Sequence, residues 1–168
     1  MQILIKIKQY GFANSLKRVF KKLVKTFGIQ VESYYFMKTK LDINSITSKM
    51  EMYDYSNVKE LVYEDFLKGD SNVFTKSKLE RIKLRFESGK YQAYGIIQDE
   101  ILAYSCWING NKLVFPTVFN KTEDLCLDEG LLEDDYCHPV YRGRGYHNKM
   151  NVFRLGKMTE LGFTSAIT

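Results

Sequence analysis

Apolar side chains recur every three or four positions over residues 12–27, at Phe12, Leu16, Val19, Phe20, Leu23, Val24 and Phe27. Lys17, Arg18, Lys21, Lys22 and Lys25 fall mostly outside that stripe. This is the period of an amphipathic helix, with Asn14 or Ser15 placed to cap it and Gly28 to end it. Residues 29–38 alternate and are rich in β-branched and aromatic side chains, which predicts a strand. Residues 42–55 fit neither period. Residues 58–68 predict a helix broken at Gly69-Asp70. Residues 76–88 predict another, with Leu79, Ile82 and Phe86 inward and Gly89 as its stop.

Three strands are predicted next, over 91–98, 100–108 and 112–119. A short turn near Asp99 joins the first two, and Asn109-Gly110-Asn111 reads as a hairpin turn before the third. A polar loop over 120–129 leads to a strand over 131–137. Residues 147–161 predict a helix that buries Met150, Phe153, Met158 and Leu161; Gly162 ends it, and 163–168 begin a further strand. The pattern divides the chain into a basic helical extension, residues 1–28, and an α/β domain, residues 29–168.

The 168 residues, 45% of them hydrophobic and 27% charged, suit one domain with a core of its own. No apolar run approaches the roughly 20 residues of a membrane span. The start, Met1-Gln2-Ile3-Leu4-Ile5-Lys6-Ile7-Lys8, lacks a signal-peptide pattern. A cytoplasmic protein is therefore expected. Cys106, Cys126 and Cys137 form no CxxC pair, so reduced thiols and no metal site are expected.

The net charge of +5 is uneven. Seven cations precede the first acid, Glu32, whereas Glu123-Asp124 and Glu133-Asp134-Asp135 are acidic. The basic helix is expected to dock its apolar face on the domain. Peripheral contact of residues 12–27 with an anionic membrane is the alternative. No nucleic-acid motif accompanies the charge.

Tyr141-Arg142-Gly143-Arg144-Gly145-Tyr146-His147 lies between a predicted strand and a predicted helix. Unpaired N–H groups at a helix start, with the helix dipole behind them, make an anion site. Gly143 and Gly145 let the backbone approach a ligand, and Arg142 and Arg144 add phosphate donors. The loop is neither a Walker loop nor a Rossmann fingerprint. An ordinary Gly-rich turn explains its composition equally well.

His138-Pro139-Val140-Tyr141-Arg142-Gly143-Arg144-Gly145-Tyr146-His147, followed by an amphipathic helix and Glu160-Leu161-Gly162-Phe163, resembles the GNAT acetyltransferase superfamily. The family pattern, Arg/Gln-x-x-Gly-x-Gly/Ala, maps its Arg onto Arg142 and its central Gly onto Gly145; the last position is His147 here. The resemblance implies a mixed, mainly antiparallel sheet flanked by helices, C-terminally incomplete in this sequence. It implies an acetyl-CoA-dependent N-acetyltransferase acting on a small amine or amino sugar by direct attack. Main chain at Arg142, Gly143, Arg144, Gly145, Tyr146 and His147 would hold the coenzyme A pyrophosphate, and the strand end at Asp135, Tyr136 and Cys137 would pair with the pantetheine arm.

For the base, Glu133 is the first candidate and Asp135 the second. Simple alternation puts both on one face and Asp134 on the other; a solvated strand edge explains the three acids as well. The strand over 163–168 is expected beside that over 131–137, splayed from it, with a bare outer edge to be covered by further chain or by a second copy in a homodimer. A degenerate acyl-CoA-binding module without catalysis is the competing reading.

Overall fold

The computed structural model describes residues 35–110, 112–115 and 121–168. The helix expected over 12–27 and the boundary at residue 28 lie outside them, as does most of the strand expected over 29–38.

The described elements run in chain order as β1 (Lys38–Lys40), α1 (Ile43–Met50), β2 (Lys59–Glu60), α2 (Tyr63–Phe66), α3 (Lys76–Ser88), β3 (Tyr91–Gln98), β4 (Ile101–Asn109), β5 (Lys112–Val114), β6 (Thr122–Asp124), β7 (Glu129–Cys137), a 3₁₀ turn (Pro139–Tyr141), α4 (Tyr146–Glu160) and β8 (Ser165–Ile167). Six strands form one sheet in the order β1-β8-β7-β4-β3-β2; β5 and β6 form a separate ribbon. Every pairing is antiparallel except β7 with β8.

Local chemistry sets the element ends. Asp42 accepts from the N–H of Asn44 and Ser45 to start α1, in the segment that fitted neither period. Thr75 caps α3, and Gly89 stops it in the left-handed region. β3 turns into β4 through Asp99 and Glu100 at φ 52° and 60°, a two-residue hairpin connection.

The sheet is covered on both faces. On one, α4 supplies Met150, Phe153 and Met158 against Tyr94, Ile96, Tyr104, Cys106 and Ile108. There α1 rests on α4 where Gly156 leaves room for Met50. On the other, Phe66 of α2 and Ile82 of α3 pack against Ala93, Leu102, Trp107 and Tyr136. Phe66 stacks on Trp107 at 5.3 Å, which is the centre of that layer.

Three expectations of the fold need correction. The helix expected over 58–68 is a short strand followed by a single helical turn: Lys59 and Glu60 pair with Gly95 and Tyr94 at the sheet edge. The strand expected over 112–119 stops at Val114 and pairs with β6, from within the predicted polar loop, rather than extending the sheet. The bare edge beyond β8 is also absent. Lys38, Thr39 and Lys40 pair with Ile167, Ala166 and Ser165, so the chain's own β1 covers it.

Candidate functional site

β7 carries the expected site residues, and its register is broken in the middle. Trp107 pairs with Glu133 and Ser105 with Tyr136, leaving Asp134 and Asp135 opposite Cys106 alone. This is a β-bulge, with Asp134 at φ 51°. The extra residue overturns simple alternation. Glu133 and Asp134 turn together toward α3, and Asp135 turns toward α4.

On the α3 side, Arg85 lies 5.0 Å from the Trp107 ring and 5.3 Å from the Tyr91 ring. From there it reaches Asp134 at 2.8 Å and Glu133 at 3.5 Å. Lys78 also binds Asp134, at 3.0 Å. Burial pushes the Glu133 carboxyl above its ordinary value, with Arg85 opposing and Asp134 adding to the rise. Its buried Oε1 has no hydrogen-bond partner. Burial also opposes the charge of Asp134, but Lys78 and Arg85 outweigh it and hold that carboxyl below its ordinary value.

On the α4 side, Arg154 is only 2% exposed. Its Nη1 lies 2.6 Å from Asp135 Oδ1, and its Nη2 donates to Asp135 Oδ2 at 2.9 Å. The three acids are therefore salt-bridged from both faces, Glu133 and Asp134 half-buried and Asp135 exposed.

β8 pairs with β7 only over Glu129, Gly130 and Leu131. From Leu132 to Cys137 that edge of β7 has no strand partner among the described residues. The bulge lies within this open stretch, which leads to the loop. The 3₁₀ turn and Arg142 bring the chain to Gly143 and Gly145, at φ 78° and 77°. Gly145 is the N-cap of α4, and no side chain caps that helix. Among the described residues, a Cβ at either glycine would meet no atom within 4 Å, so the space over the turn is open to them. Open space, left-handed backbone and uncapped N–H groups fit a phosphate.

The expected loop side chains take different places. Arg142 Nε donates to the Cys137 carbonyl at 3.4 Å. Arg144 lies 4.8 Å over the Tyr141 ring. Tyr146 is turned inward and donates to Gln98 Oε1 at 2.6 Å, while Tyr141 donates to Asp99 at 3.0 Å. The β3–β4 turn thus props the loop from behind. Tyr136 points to the α3 layer and accepts from the Asp70 N–H at 3.3 Å, so only its main chain faces the open edge. The Cys137 thiol is half-buried, and burial pushes it up from its ordinary value.

His147 is held on several sides. Its Nδ1 lies 3.1 Å from the Tyr104 hydroxyl and 3.3 Å from Asp135 Oδ2; its Nε2 lies 3.0 Å from Asn151 Nδ2. Burial and then Asp135 push the Tyr104 hydroxyl far up, so it stays protonated. Sequence reasoning missed Lys78, Arg85, Tyr104, Asn151 and Arg154. One signal was available: Arg154 sits beside Phe153 within the apolar stripe of α4, where a cation needs a buried acid.

No family model matches the chain, and no curated protein matches it. Solved structures do. A glucosamine N-acetyltransferase region of a fungal multi-domain GH3 β-N-acetylglucosaminidase aligns with a TM-score of 0.55 at 11% identity, over 94% of this chain and 20% of that one. A GNAT-family protein from Novosphingobium aromaticivorans aligns at 14% identity and TM-score 0.46, over 69% and 45% of the two chains. A Clostridium acetobutylicum predicted acetyltransferase with acetyl-CoA aligns at 16% identity and TM-score 0.40, over 79% and 77%. This chain spans less than half the length of the first two. The chain has the fold of the GNAT acetyltransferase superfamily, a mixed, mainly antiparallel sheet flanked by helices.

Proposed function

We propose that this chain is an acetyl-CoA-dependent N-acetyltransferase whose acceptor is the amine of a small molecule or amino sugar. The observation that carries the reading is the β7 edge from Leu132 to Cys137, unpaired among the described residues, which runs into the start of α4 at Gly145, where no side chain caps the helix. Such an edge can accept an extended amide-containing arm by strand-like pairing, and the helix start can hold a pyrophosphate. The amino-sugar acceptor is supported by the fungal region of similar fold, whose own description is a glucosamine N-acetyltransferase.

In this reading the amine nitrogen attacks the thioester carbonyl, the C–S bond breaks, and the thiolate leaves to take up a proton. The ammonium proton passes to Glu133. Glu133 suits that role better than Asp135, because burial raises its affinity for a proton and its arginine, Arg85, stands off at 3.5 Å, whereas Arg154 lies 2.6 Å from Asp135. Asp135 is already neutralised by Arg154.

Calorimetry with coenzyme A and acetyl-CoA, then thiol release over an amine panel that includes glucosamine, tests the proposal. Binding followed by thiol release with an amine is the expected result. Binding without turnover across the panel returns the non-catalytic module, and no binding contradicts both.

A further inference from the structure

Arg154 is a costly residue where it stands. It is 2% exposed, and its Nε makes no hydrogen bond. A buried ion pair roughly breaks even on stability once desolvation is counted. What it supplies here is a fixed distance between two elements.

Arg154 joins a closed cycle of side chains. It binds the Asp135 carboxylate on β7 and donates from Nη2 to Asn151 Oδ1 on its own helix. A guanidinium only donates, so this contact fixes the orientation of the Asn151 amide. Asn151 Nδ2 must then donate to His147 Nε2, which places the imidazole proton on Nδ1. Nδ1 faces the Tyr104 hydroxyl and Asp135 Oδ2, which closes the cycle. The cycle spans from the first turn of α4, at His147, to the β7 bulge, at Asp135.

We propose that Arg154 is a positioning residue: through Asp135 on one side and Asn151 and His147 on the other, it couples the phosphate-facing turn of α4 to the bulge of β7. This rests on the reading of that turn as the phosphate site. Filling the turn shifts His147, and the cycle transmits the shift to the strand that flanks the reacting group. Coupling of this kind needs a continuous physical chain of contacts, and the cycle supplies one.

The test uses the full chain and ADP, a nucleoside diphosphate with a pyrophosphate but no pantetheine arm to touch the bulge directly. Amide and imidazole NMR signals are followed in the wild type, Arg154→Lys and Asn151→Leu. In the wild type, ADP is expected to shift the amides of residues 146–148 and, with the same affinity, those of residues 133–136. The neutral His147 ring is expected as the Nδ1–H tautomer.

Asn151→Leu keeps the Arg154–Asp135 pair, so no buried charge is left unpaired, and cuts the route through Arg154; it also takes away the Nε2 anchor of His147, so that the direct contact of Nδ1 with Asp135 is no longer held in place. In that variant the α4 shifts should persist, the response of residues 133–136 should fall by about fivefold or more, the low end of ordinary coupling, and the tautomer preference should be lost. Arg154→Lys should weaken the bulge response in the same direction.

An undiminished bulge response in Asn151→Leu, or an unchanged tautomer there, overturns the coupling while leaving the phosphate site intact. Absence of any ADP response at residues 146–148 in the wild type overturns the phosphate site, and the coupling with it.

Discussion

Glu133 and Asp135, two residues apart on one strand, lie on opposite faces of the sheet because Asp134 between them takes the left-handed conformation, φ 51°. Glu133 faces Arg85 of α3, and Asp135 is bound by Arg154 of α4. The two acids proposed for one site thus have separate environments and are expected to separate in function.

Glu133→Gln is expected to lower kcat by about a hundredfold, in the range of a lost general base, with coenzyme A affinity unchanged. A base acts deprotonated, and burial raises the folded Glu133 carboxyl above 4.5. The wild-type rate should therefore rise with pH through that raised value, and the variant should lose this limb. A raised carboxyl stabilises the fold below its unfolded value, and that contribution is lost as pH rises. Glu133→Gln should therefore melt no lower than the wild type at pH 7. A pH–rate profile that keeps the limb in Glu133→Gln contradicts the assignment.

Asp134 carries the opposite sign. Lys78 and Arg85 hold its carboxyl below 3.8 against burial, so its contribution is present above that value and lost as pH falls through the folded one. Asn tolerates positive φ, so Asp134→Asn removes the charge while sparing the bulge. A loss of about 2 kcal/mol at pH 7 is expected, between an exposed and a fully buried pair. Denaturation at pH 7 and pH 2.5 should show the difference shrinking in acid; an equal loss at both would trace it to packing.

Much of this frame was legible in the pattern of the chain. Strong periodicity located α3, β3, β4, β7 and α4 within a residue or two. Residues 58–68 misled because Val58, Leu61, Val62 and Phe66 have helical spacing, yet Lys59 and Glu60 are drawn to the sheet edge by pairing with Gly95 and Tyr94. That is a tertiary contact overriding local preference.

The phosphate turn was readable because its chemistry is local: two glycines and a helix start. The bulge was not. Its extra residue appears only in the register against β4, and the cations that hold the acids come from 56, 49 and 19 positions away. Side-chain roles in the loop were hidden for the same reason. Tyr146 looks like a ligand contact in sequence, but Gln98, 48 positions away, takes its hydroxyl.

Glu100 offers a stability test independent of function. It sits at φ 60° in the β3–β4 turn and makes one exposed ion pair, with Lys68 at 3.2 Å. Relief of left-handed strain is worth about 1–2 kcal/mol, and an exposed pair about 0–1. Glu100→Gly should therefore raise the melting temperature, by calorimetry, despite the lost pair. A lower melting temperature would show that Lys68 matters more than the backbone.

In the proposed reading, main chain at the start of α4 holds the pyrophosphate of coenzyme A. Gly145 and Gly162 both have left-handed φ, 77° and 88°, and both have open space where a Cβ would stand. Alanine at either position carries the same kind of backbone strain, but only Gly145 lies in the phosphate turn. Calorimetric titration of coenzyme A into the wild type, Gly145→Ala, Gly162→Ala and Arg144→Ala is therefore the most direct measurement. We predict that Gly145→Ala binds about tenfold or more weakly, as expected when a side chain enters the anion approach. Gly162→Ala and Arg144→Ala should stay close to the wild type. Wild-type affinity in Gly145→Ala, or no binding by the wild type itself, would show that this turn does not hold the pyrophosphate.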